Sequence, residues 1–127
     1  MSDLRQAYRA YLDCLNARDW DRLGNYVDEG VTRNGNRLGV CGYRAMLEED
    51  VATVPDIRFE IELLVVEGAW VASRLSFDCH PGGDFMGVAV DGRRVRFTEN
   101  VFYRFKGGKV VEVRSVVDKV AVEAELG

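Results

Sequence analysis

Residues Phe85–Asp118 read FMGVAVDGRRVRFTENVFYRFKGGKVVEVRSVVD. Two pairs, Asp91-Gly92 and Gly107-Gly108, divide the stretch into three runs rich in β-branched and aromatic residues. Such pairs supply the positive φ angles that tight hairpin turns need, so the stretch predicts a three-stranded antiparallel meander. With a two-residue loop at Gly107-Gly108, Lys106 faces Lys109 and side chains alternate between the two faces of the sheet. One face then carries Phe97, Glu99, Val101, Tyr103 and Phe105, opposite Val110, Glu112, Arg114, Val116 and Asp118. The other carries Phe102 between polar neighbours, opposite Val111, Val113, Ser115 and Val117. The first face is an apolar wall with three carboxylates and one guanidinium set into it, the make-up of a ligand pocket. A slip of one residue between the strands would separate these two sets.

Upstream of the meander, apolar residues at Leu4, Tyr8, Tyr11, Leu12 and Leu15 share one helical face, with Ser2 as the N-cap. Asn16–Asp19 break that helix. Asp19 caps a second, shorter one in which Trp20, Leu23 and Val27 share a side, ending near Glu29-Gly30. Trp20 is a core residue or a pocket wall. A short strand with a turn at Asn34-Gly35 follows, and then a third helix with Tyr43, Met46, Leu47, Val51 and Val54 on its apolar side. Glu48, Glu49 and Asp50 form its solvated face, and Pro55 stops it. Alternation from Ile57 to Val66 predicts a strand whose apolar face holds Ile57, Phe59, Ile61, Leu63 and Val65; Glu67-Gly68 turns it into another, Trp70–Cys79. After Asp118 the tail KVAVEAELG favours helix but is too short to stand alone, so it docks or frays. Helices first and an antiparallel sheet last make this an α+β chain, a single domain over 1–127, with helices packed on the concave side of one curved sheet.

Composition narrows the function. Seventeen basic against 21 acidic residues give a net charge of −4, which argues against a phosphate-tracking surface and against nucleic acid as a partner. No apolar run approaches the length of a membrane span. The N-terminus lacks the basic start and apolar core of a secretory signal, which predicts a cytoplasmic protein. Three scattered cysteines and one histidine favour neither a disulfide framework nor a zinc site. Cys79 and His80 are adjacent on extended chain and point to opposite faces, so they do not make a catalytic pair.

Several segments together carry a family likeness. RDW at Arg18–Trp20, the run from Asn34-Gly35 to GYRAMLE, PDIRFEIELL at Pro55–Leu64 and the closing FTENVFYRFKGGKVVEVRSVVDK resemble the SnoaL-like polyketide cyclase (ester cyclase) family. That family belongs to the cystatin-like α+β barrels of the nuclear transport factor and ketosteroid isomerase type. The resemblance covers nearly the whole chain. It implies a cone-shaped fold, a homodimer joined through the outer sheet, no metal or cofactor, and acid–base catalysis of an intramolecular aldol ring closure centred on an aspartate. In the family's closing pattern G-K-I-x-E-x-W-x-x-x-D, the matching residues here are Gly108, Lys109, Val110, Glu112, Arg114 and Asp118. Asp118 is therefore the expected general acid/base and Glu112 a second cavity carboxylate. Arg114 replaces the tryptophan, and His80 sits one position before the histidine of the family's G-T-H-x-G segment, with Pro81 in its place.

The expected ligand is a hydrophobic, carbonyl-bearing small molecule. Asp118, Glu112 and His80 are the candidate catalytic residues; Arg114, Tyr103, Glu99, Phe97, Phe85 and Trp20 are the candidate binding residues. Burial among Phe97, Tyr103 and Val116 would raise the pKa of Asp118, and Arg114 beside it would lower it. The competing account is a non-catalytic binding or structural dimer of the same fold, in which the ionisable cluster is only a paired charge network and Phe102, Val111, Val113 and Val117 form the partner surface.

Overall fold

The computed structural model describes residues 3–126. Helix α1 spans Leu4–Asn16 and buries Tyr8, Tyr11, Leu12 and Leu15. Its cap is Asp3, whose carboxylate accepts from the Arg5 amide at 2.9 Å, whereas Ser2 lies outside the described residues. The second helix is a 3-10 turn, Trp20–Asn25, and is shorter than its apolar spacing predicts. Val27 instead opens strand β1, Val27–Arg33, where it is fully buried opposite Val110. Gly24-Asn25 offers little helix propensity, and a β-branched residue gains more from pairing in the sheet. After the two-residue strand β2, Asn36–Arg37, helix α2 covers Gly39–Thr53 and ends before Pro55.

Strands β3 (Glu60–Glu67), β4 (Trp70–Cys79), β7 (Val95–Lys106) and β8 (Lys109–Val117) build the sheet, with β5 (Asp84–Phe85) and β6 (Val88–Ala89) between β4 and β7. The order across the sheet is β2-β1-β8-β7-β4-β3. Its neighbours are antiparallel except β1 and β8, which run parallel. The meander is therefore β4-β7-β8. Its expected first strand is instead a separate hairpin, β5-β6, lying over one end of the sheet. The Asp91-Gly92 turn forms, with φ of 51° and 82°, but it returns the chain from the hairpin into β7 without making a ladder.

Two bulges decide which side chains face inward. Lys106 pairs with Lys109 and Phe105 with Val110, as the Gly107-Gly108 turn dictates. Arg104 then pairs with Glu112, so Val111 is an extra residue in β8. Such a bulge shifts the alternation by one. From there on, Val113, Ser115 and Val117 share the concave face with Phe97, Glu99, Val101 and Tyr103. Glu112, Arg114 and Val116 share the outer face with Asn100 and Phe102. The expectation that Glu112, Arg114 and Asp118 line the same face as Glu99 is thereby corrected.

A second bulge interrupts β3 at Glu62. Ile61, Leu64 and Val66 turn inward, while Leu63 and Val65, expected on the apolar side, are 55% and 60% exposed. The C-terminal tail does dock: α3, Lys119–Leu126, buries Val122 and ties Glu125 to Arg96 at 2.7 Å.

Behind the concave face the core is unusually phenolic. Tyr8, Tyr11, Tyr43 and Tyr103 are all at most 4% exposed, and the Tyr11 and Tyr43 hydroxyls share a hydrogen bond of 2.6 Å. The Tyr8 ring packs on Tyr103 with centroids 4.9 Å apart. Burial pushes the Tyr8 phenol up to about 12 and raises the others too, so all four stay protonated near neutrality.

Candidate functional site

The concave side of the sheet closes against α2 and the β5-β6 hairpin around a cavity of about 340 Å³. Phe77 of β4, Phe97 of β7 and Phe85 of the hairpin form its aromatic wall. Phe97 stacks on Phe77 at 5.0 Å between centroids and packs on Phe85 at 5.4 Å. Val54, Ile57, Phe59, Met86 and Val117 complete the apolar surface. Into this lining project Glu99 from the middle of β7, Arg33 from the end of β1, and Asp50 and Glu49 from α2, with Asp84 from the hairpin. A mostly apolar pocket with a few convergent ionisable groups has the form of a ligand site.

Glu99 is the most buried of these carboxylates. Burial raises its pKa above the ordinary glutamate value, opposed by the Ser115 hydroxyl and by Arg33. The Ser115 Oγ also accepts from the Arg33 guanidinium at 3.1 Å, so serine and arginine sit together on this side of the cavity. The bulge at Val111 makes this possible, since without it Ser115 would face outward. Asp50 reaches water at the cavity mouth yet is crowded by protein on its other sides. That desolvation pushes its carboxyl up to about 6, with Arg33 opposing and Glu99 and Glu49 adding to the rise.

Of the residues expected from sequence, Phe97, Glu99 and Phe85 meet at this cavity. Tyr103 lies on the concave face but behind the cavity, within the tyrosine cluster. Trp20 packs against the core at its edge. Asp118 is elsewhere: it is exposed, its Oδ1 caps α3 by accepting from the Ala121 amide at 3.1 Å, and it borders a separate depression with Asp78 and Arg96. Glu112 sits on the outer face between two guanidinium groups, Arg104 at 3.0 Å and Arg114 at 2.6 Å, which hold its pKa low. Both arginines keep that carboxylate ionised, the opposite of what a proton-transfer group needs. The departure of Arg114 from the family tryptophan is thus an outer-face feature. His80 is exposed at the end of β4, where its backbone amide donates to Asp56 at 3.0 Å and its Nδ1 lies 2.8 Å from the same carboxylate.

Arg33, Asp50 and Ser115 were not among the sequence candidates. Arg33 carries a weak signal, a cation at the last strand position before the Asn34-Gly35 turn. Asp50 reads as one of three consecutive acids on a wet helix face, and Ser115 depends wholly on register. Among the described residues no group of three or more His, Cys, Asp or Glu is placed to hold a metal ion. No helix among them is long and apolar enough to cross a membrane.

The model of the SnoaL-like polyketide cyclases matches residues 5–126. Among solved structures, a SnoaL-like polyketide cyclase from Agrobacterium tumefaciens is 50% identical, with all of both chains covered and a TM-score of 0.98. IdmH from Streptomyces antibioticus superposes with a TM-score of 0.85 at 21% identity over 99% of both chains. AclR from Streptomyces galilaeus does so at 0.78 and 23% identity, over 98% of this chain and 95% of its own. At that identity the latter two speak to the fold alone. No curated protein matches the chain.

Proposed function

We propose that this chain, which belongs to the SnoaL-like polyketide cyclase family, is an acid–base enzyme that moves protons on a carbonyl-bearing small molecule. The observation that carries this reading is Glu99: a carboxyl with a raised pKa, set into an aromatic cavity that a guanidinium also lines. Closing a ring between a carbonyl and an activated methylene needs a base to take the α-proton and a charge to receive the developing enolate oxygen. Glu99 is the base, and once protonated it returns the proton to the alkoxide of the new ring. Among the described residues Arg33 is the only cation lining the cavity, and so it faces the oxyanion. The phenyl wall holds a flexible chain bent near its attack geometry. Asp118, for which the family pattern argues, acts in this reading as the cap of α3.

The test is deuterium wash-in at the α-carbon of a small ketone such as 2-tetralone in D2O, followed by NMR. Wild type is expected to catalyse it and Asp118→Asn to retain the rate within about twofold, while Arg33→Met loses roughly a hundredfold, in line with removal of one oxyanion donor. Absence of catalysis by wild type, an unchanged rate in Arg33→Met, or loss of the rate in Asp118→Asn overturns the assignment.

The chain is further proposed to be a homodimer through its outer sheet face. Leu63, Val65, Phe102 and Val116 are 55%, 60%, 52% and 70% exposed there, beside an apolar depression of about 680 Å³ that reaches Trp70. This surface replaces the one expected from sequence, since Val113 is buried and Val117 faces the cavity. Sedimentation at micromolar concentration is expected to give a dimer, and Phe102→Lys a monomer with unchanged circular dichroism. A monomeric wild type contradicts the proposal.

A further inference from the structure

We propose that the cavity takes a flat, apolar ligand carrying a protonated amine and discriminates against carboxylates of the same shape. The inference rests on reading this cavity as the reaction site and names the ligand class that fits it. Among the described residues four carboxylates, Glu49, Asp50, Asp84 and Glu99, line the cavity against the single guanidinium of Arg33. Among the described residues none of the four forms an ion pair. Glu112 on the outer face, by contrast, is held by two arginines. If Glu99 carries a proton, three carboxylates still face one cation. An anionic ligand would meet like charge inside walls of low dielectric, where repulsion is less screened than in water.

The second observation is the wall itself. Phe59, Phe77, Phe97 and Phe85 form, in that order, a connected series with centroid separations of 5.7, 5.0 and 5.4 Å. Faces of phenyl rings carry partial negative charge, so the same surface that stacks a flat apolar body also attracts an organic cation.

The charges are also separated in depth. Glu99 and Ser115 come from the concave strands, whereas Glu49, Asp50 and Asp84 are solvent-exposed on α2 and the hairpin and form the rim. Arg33 acts on both groups, opposing the rise in pKa of Asp50 at the rim and of Glu99 within. It offsets one negative charge of the lining and leaves the excess at the rim for an ammonium to meet.

The test is isothermal titration of the intact protein with three probes of similar size: 2-naphthylmethylamine, 2-naphthylmethanol and 2-naphthoate, near neutral pH and low salt. The amine is expected to bind at least about tenfold more tightly than the carboxylate, with the alcohol between them. The gap is expected to narrow in Asp84→Asn, in Glu49→Gln and in high salt. Equal or tighter binding of the carboxylate overturns the charge preference while leaving the cavity as a binding site. A preference unchanged in both variants overturns the role of the rim. Failure of all three probes to saturate overturns this inference and the cavity reading together. Amine binding without ketone exchange sustains the ligand class and sinks only the proposed proton transfer.

Discussion

Val113→Asp is expected to abolish the native fold. The bulge at Val111 puts Val113 on the concave face opposite Tyr103, where it is 2% accessible. If Val111 paired with Arg104 instead, alternation from the Lys106↔Lys109 turn would place Val113 on the outer face and Glu112 and Arg114 in the core. An unpaired charge buried in a core costs several kcal/mol, comparable with the whole stability of a domain this size. Thermal unfolding followed by circular dichroism checks this. A cooperative transition within a few degrees of wild type would show that Val113 does not face the core. Val116→Asp, at a position 70% exposed on the outer face, is the control and is expected to unfold cooperatively.

Glu99→Gln is expected to remove catalysis while leaving the protein more stable at neutral pH than wild type. Glutamine cannot accept the α-proton, so exchange into a ketone falls by about a hundredfold or more, the usual scale of a general base. The wild-type rate rises with pH as Glu99 ionises, at a pH above the ordinary 4.5 of a glutamate. That limb is expected to disappear in the variant. The stability change follows from the same shift. Between 4.5 and the raised native pKa the folded state binds more protons than the unfolded one, so wild-type stability falls as pH increases through that window. Below it both states are protonated and the two proteins should agree. Matched urea denaturation curves at acidic and neutral pH read the effect directly. A variant less stable than wild type at neutral pH would mean that the ionised carboxylate is held by partners that outweigh its burial. Retained exchange would move the base elsewhere, with Asp50, pushed up to about 6, the nearest alternative.

How far the sequence alone reached can be judged strand by strand. Alternation in β7 is uninterrupted, and Phe97, Glu99, Val101 and Tyr103 face inward as their spacing implies. The Gly107-Gly108 turn and its Lys106↔Lys109 pair were equally readable, because turn chemistry is local. The order of elements pointed to the α+β class, and the family resemblance added the cone shape. Side-chain parity in β3 and β8 was not readable, since a bulge inserts one residue at a point that nothing in the composition marks. Val111 lies in the run Val110-Val111-Glu112-Val113 and Glu62 in Ile61-Glu62-Leu63-Leu64, where either register places apolar residues on both faces. The consequence for the site was large. Glu112 and Arg114 moved to the outer face and Ser115 took their place inside. Arg33 and Asp50 were hidden for another reason. They come from elements distant in sequence from β7, and only the parallel pairing of β1 with β8 and the packing of α2 bring them to Glu99.

That parallel pairing also governs when the cavity can exist. Strand β1 ends at Arg33, and its partner β8 begins only at Lys109, so the two cannot meet until the chain has been made through β8. Contacts so distant in sequence close late and slowly, whereas the hairpins β3-β4 and β7-β8 form between neighbours. Arg33 is therefore expected to reach Glu99 only after the β7-β8 hairpin has formed, so the guanidinium completes the polar end of the cavity late in folding.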